Sequence, residues 1–171
     1  MEEIRNKVDE SGLVQLDLEQ LIRPVDLAEI DLAQFLENGF LLREKSFRQA
    51  IQQFETAPFS NKQVAVFCST DAIIPLWSWM LLGLKLRAVQ AETHQGRPEE
   101  VQKRLFLQQL ESLPLEVYEN QRVIVKGCAD RVPEEAYVRL TQRLQPLVKT
   151  LMFGEACSAV PLYKKNHHLN P

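Results

Sequence analysis

The sequence predicts a three-layer α/β fold with a mainly parallel, flavodoxin/Rossmann-like sheet and an N-terminal α+β extension. Val64–Cys68 is a continuous apolar run, as in a strand buried on both faces, and Arg122–Lys126 and Thr150–Phe153 read as further strands. Between them lie stretches of about ten to fifteen residues with helical periodicity, and such alternation implies parallel pairing through right-handed crossovers. At 171 residues with 45% hydrophobic content, the chain can form one domain that buries roughly 70% of its unfolded surface. The expected organisation is a single domain over residues 1–171, with an α+β layer over 1–60 and a βαβ core over 61–171.

In the N-terminal layer, Leu13-Val14-Gln15-Leu16-Asp17-Leu18 alternates like a half-buried strand, and Ala28–Leu32 can pair with it. Asn38-Gly39 signals a turn among Phe35, Leu36, Phe40, Leu41 and Leu42. Phe47, Ile51 and Phe54 then give the stretch from Glu44 to Phe54 one apolar face, as in a helix that covers a sheet. Pro58-Phe59-Ser60-Asn61 closes this layer.

The core begins with the strand Val64–Cys68. Ala72–Leu86 follows as an apolar helix, with Thr70 or Asp71 as its cap and Pro75 in its first turn. Arg87–Ala91 is the next expected strand, and Pro98–Leu110 an exposed amphipathic helix. After the strand Arg122–Lys126, Pro133-Glu134-Glu135 opens a helix that runs to about Leu147, with acids where the helix dipole favours them. Thr150–Phe153 is the last strand.

A net charge of −3 and a pI near 5.7 speak against a nucleic-acid backbone or an anionic membrane as partner. The charged start Met1-Glu2-Glu3-Ile4-Arg5 does not resemble a secretory signal, and Pro75, Gly83 and Lys85 interrupt the longest apolar stretch, Ile73–Leu86. The expectation is a cytoplasmic protein. In that reducing compartment its three cysteines are free thiols or metal ligands.

Cys68 ends the first core strand, Cys128 lies behind Gly127 after the third, and Cys157 follows Gly154-Glu155-Ala156 after the fourth. Ligands of doubly wound sheets bind at the carboxyl ends of the strands, and a flavodoxin-like order makes these three strands neighbours. A lone cysteine at a strand end is more often core than ligand, but three on one edge point to a shared site. With strands about 4.8 Å apart, the outer thiols suit an iron–sulfur cluster better than one zinc or iron ion. Asp71, Asp130 and Glu155 lie close enough in sequence to add an oxygen ligand or a base, although Asp71 is equally a helix cap. Lys126 and Arg131 can lower a thiol pKa, hold an anion or simply face solvent. Trp77, Trp79 and Met80 read as core. His94, His167 and His168 read as surface residues without zinc-finger spacing. No GxGxxG, Walker loop, HExxH or GxSxG is present.

The stretches Phe67–Pro75, Val125–Asp130 and Met152–Lys164, with Ser11-Gly12-Leu13 near the start, resemble a Bacteroidetes-type bacterial family described only as a domain of unknown function. The resemblance spans nearly the whole chain and brings no established activity. It implies a role in handling iron, sulfur or clusters, with iron–sulfur assembly proteins as partners. Three functions follow as expectations. The first is a metal or iron–sulfur binding protein using Cys68, Cys128 and Cys157, with Asp71 or Glu155 alongside. The second is a thiol enzyme or sulfur carrier in which Cys68 or Cys128 is the nucleophile. The third is a non-catalytic interaction module that uses Trp77, Trp79 and exposed apolar surface.

Overall fold

Two sheets organise the chain, and their strands are drawn from interleaved parts of the sequence. The structure, a computed structural model, describes residues 12–127, 132–155 and 157–165. It divides into a central unit, Pro24–Leu105, and a terminal unit made of the chain up to Arg23 together with Phe106 onward. Both are α/β and rich in parallel pairing.

The central unit contains β2 (Leu27–Asp31), β3 (Gln63–Phe67) and β4 (Glu92–Gln95), in the order β2-β3-β4 and all parallel. Consecutive parallel strands need a crossover, which helices α2 (Glu44–Gln53) and α3 (Leu76–Arg87) supply. Both pack on the face that carries Val64 and Val66, through Phe47 and Ile51 of α2 and Leu82 and Leu86 of α3. On the opposite face, Ala65 meets Val101 and Leu105 of the helix Pro98–Glu111 (α4), with Val25 and Leu27 beside them. Helix, sheet and helix make the three layers expected from the run of buried residues in β3.

The terminal unit has the order β1-β5-β6-β7, from β1 (Leu13–Leu16), β5 (Arg122–Val125), β6 (Thr150–Phe153) and β7 (Val160–Lys164). The first three strands are parallel, and β7 returns antiparallel to β6 through a hairpin. Leu16, Val123, Val125 and Leu151 form a core with Leu18 of α1 (Leu18–Leu21), Leu107 and Leu110 of α4, and Ala136, Leu140 and Leu144 of α5 (Glu134–Leu144). Pro161 is tolerated in β7 because this is an edge strand, where a missing N–H breaks no ladder.

Five sequence expectations differ from the observed fold. β1 and β2 do not pair: β1 adds to β5, and β2 to β3. Consequently Val64–Phe67, Arg122–Val125 and Thr150–Phe153 are strands of two sheets, because both edges of β3 are taken by β2 and β4. Arg87–Ala91 is no strand. Helix α3 keeps Leu86 buried to its end, Gln90 turns the chain in the left-handed region at φ +61°, and the strand starts only at Glu92. Next, α3 begins at Leu76 and not at Ala72, since the residue ahead of a proline is driven out of helical geometry and Pro75 therefore marks the boundary. Thr70 and Asp71 accordingly do not cap it. α5 likewise ends at Leu144, short of Leu147.

Candidate functional site

At the carboxyl edge of the central sheet, Asp31 ends β2 and Cys68-Ser69-Thr70 leave β3. Asp31 accepts hydrogen bonds from the backbone N–H groups of Ala33 and Ser69, each at 3.0 Å. Its carboxylate thus starts the short 3₁₀ turn Leu32–Phe35 and ties the ends of two neighbouring strands together. Burial pushes the Asp31 pKa up, but the Ser69 hydroxyl, these two N–H groups and the Arg97 guanidinium outweigh it, so the carboxyl stays below its ordinary value. Thr70 donates to the Gly39 carbonyl at 2.7 Å, which fixes the loop after β3 to the Asn38-Gly39 turn. The half-buried Cys68 thiol lies 3.4 Å from the Thr70 hydroxyl. The helix that follows Cys68 in sequence, α3, starts eight residues later.

Asp31 escaped the sequence reading although its signal was present, an Asp immediately ahead of a short apolar turn. Replacing it with alanine leaves the Ser69 and Ala33 N–H groups without their charged acceptor and is expected to cost about 2 kcal/mol at neutral pH, measured by denaturant unfolding. The pKa is depressed in the folded state, so this stabilisation is present above the unfolded value of about 3.9 and disappears as pH falls through the lower folded value. The gap between wild type and Asp31→Ala therefore narrows in acid.

In the terminal unit, β5 and β6 are parallel neighbours with Val125 opposite Phe153, and the Gly154 N–H donates to the Val125 carbonyl at 2.9 Å. Their carboxyl ends thus share one edge. Gly127 sits where any β-carbon would fall 1.9 Å from Phe153 Cζ, so the strand end is glycine because the ring lies against its backbone. Gly154, at φ +112°, opens the hairpin to β7, and the Ser158 N–H closes a turn onto the Glu155 carbonyl at 2.9 Å. Cys157, a free and exposed thiol, lies in this turn, and Glu155 is exposed in the same loop. Cys128 follows Val125 by three residues in sequence and lies, like Asp130 and Arg131, outside the described residues.

The five expected site residues are therefore divided. Cys68 and Asp71 belong to the central unit, Cys157 and Glu155 to the terminal one, and the single sheet edge assumed for all three thiols does not exist, because β3 is in the other sheet. Among the described residues no three Cys, His, Asp or Glu side chains group as a metal site. His94 is not a plain surface residue: it lies within β4, partly buried, against the Gln63 side chain, and burial lowers its pKa. His167 and His168 lie outside the described residues. Trp77 joins the core as expected, edge-on to Phe47 at 5.7 Å, and Trp79 packs against the same cluster, whereas Met80 is exposed.

A family model described as Protein of unknown function (DUF2480) matches residues 2–165, almost the whole chain. The chain belongs to this family. Membership covers both units and the segments around all three cysteines, and it assigns no activity to them. No curated protein and no solved structure matches the chain. No helix among the described residues is long and apolar enough to cross a membrane.

Proposed function

We propose that this protein holds a thiophilic metal centre, an iron or zinc ion or an iron–sulfur cluster, with Cys157 and Cys128 as thiolate ligands and Glu155 as an oxygen donor. The observation that supports this reading is the parallel pairing of β5 and β6, whose chain continuations carry these two cysteines within three and four residues of Val125 and Phe153. Adjacent strands lie about 4.8 Å apart, and two sulfurs on one metal need a separation of about 4 Å, so neighbouring strand ends suit a shared ion or cluster edge. Thiolates close together repel, and a bound cation offsets that repulsion. Two protein thiolates leave coordination positions open for Glu155, water or a partner's ligand. An open site of this kind suits delivery of metal or clusters to iron–sulfur assembly proteins in the cytoplasm better than fixed electron transfer. Cys68, hydrogen-bonded in the central unit, is not required by the reading.

Protein purified anaerobically is expected to contain iron, with or without sulfide, or zinc. Cys157→Ser and Cys128→Ser should each remove most of it, while Cys68→Ser retains it. Metal-free wild type with one fast-alkylating cysteine would replace this reading with that of a thiol nucleophile or sulfur carrier.

A further inference from the structure

Helix α3 is apolar on the side that faces solvent as well as on the side that faces its sheet. Ser78, Leu82 and Leu86 are buried inward, whereas Leu76, Met80 and Leu84 are 81%, 68% and 71% exposed and Ile73, just ahead of the helix, is 90% exposed. Positions 76, 80 and 84 repeat every fourth residue and so lie in one line along about 12 Å of helix. Apolar residues scattered singly on a surface need no explanation, but a helix that is apolar all round belongs in a buried setting.

We infer that this stripe is the interface of a homodimer, in which α3 packs antiparallel against α3 of a second copy across a two-fold axis beside Met80. A two-fold interface must be complementary to itself. About Met80 the stripe is: Leu76 meets the partner's Leu84, and Met80 meets the partner's Met80. Charge decides the direction. Asp71 is exposed ahead of the stripe and Arg87 is exposed at its end, and neither has an ion-pair partner among the described residues. Antiparallel packing brings each Asp71 within reach of the partner's Arg87, giving the pair twice, whereas parallel packing sets like charge beside like. Gly83 flanks the same stripe, and a β-carbon there would meet nothing within 4 Å, which leaves room for a second helix to approach. Glycine inside a helix costs about 1 kcal/mol relative to alanine, a cost that close helix approach explains.

Sedimentation of the full chain should give twice the 19.7 kDa chain mass. Met80→Lys is expected to give a folded monomer with unchanged circular dichroism, and Leu84→Lys provides the same test if the first variant does not fold. Asp71→Arg or Arg87→Asp alone should weaken dimerisation about tenfold, and the double exchange should restore it. With the three native cysteines replaced by serine, Met80→Cys should oxidise to a covalent dimer. A wild type that stays monomeric at every concentration, a dimer that survives both lysine variants, or charge reversals without mutual rescue would overturn the inference.

Discussion

Phe47→Ala is expected to destabilise the central unit by about 3–5 kcal/mol, the largest loss of any single truncation in this core. Phe47 has no solvent exposure and is the largest of the fully buried side chains. Its ring stands edge-on to Phe35 at 6.0 Å and to Trp77 at 5.7 Å, so it joins the 3₁₀ turn after β2, helix α2 and helix α3. Removing it deletes apolar burial, leaves a cavity and ends two aromatic contacts at once. Phe47→Leu, which keeps most of the volume, should cost much less. Urea unfolding of the three proteins checks the order. Equal midpoints for wild type and Phe47→Ala would mean that this aromatic cluster does not hold the unit together.

Gly127→Val is expected to destabilise the terminal unit by about 1–3 kcal/mol through overpacking. The new β-carbon falls on the Phe153 ring, at 1.9 Å from Cζ and 2.2 Å from Cε2. Phe153 cannot swing aside freely, because its ring is edge-on to Tyr137 of α5 at 5.8 Å. The mechanism predicts strong coupling. In a Phe153→Ala background the obstruction is gone, so Gly127→Val should cost little beyond the truncation itself. Additive losses in the double-mutant cycle would show that the glycine is needed for some other reason.

How much of this was legible in the sequence depends on what the signal depends on. Val64–Phe67 and Arg122–Val125 were readable because strands buried on both faces need continuous apolar residues. The helices Glu44–Gln53 and Pro98–Glu111 were readable from a periodicity of 3.6. β4 was not, since Glu92-Thr93-His94-Gln95 is a polar edge strand with no apolar run to mark it, held by pairing to β3 and by polar side-chain contacts. Strand partners were also hidden. Nothing local in Leu13–Leu16 reports that it pairs with Arg122–Val125, more than a hundred residues away, and that pairing is what takes β3 out of the sheet shared by β5 and β6.

The candidate site inherited this error. Cys68 looked equivalent to Cys128 and Cys157 because each follows a strand, but position after a strand says nothing about which sheet the strand joins. The relation between Cys128 and Cys157 survives, since β5 and β6 are neighbours. Met80 was assigned to the core by the apolar density of its helix, yet it is exposed. Apolar character cannot distinguish the inner face of a helix from an outer face that meets another chain.

Cobalt(II) titration of the metal-free protein under anaerobic conditions tests most directly whether Cys157 and Cys128 are ligands to one metal. Thiolate bound to cobalt gives a sulfur-to-metal charge-transfer absorption whose intensity reports the number of thiolates. If both are ligands, the band saturates at one cobalt per chain, loses intensity in Cys157→Ser and in Cys128→Ser, and is unchanged in Cys68→Ser. A band of undiminished intensity in Cys157→Ser, or titration with no charge-transfer band at all, would contradict that ligand assignment.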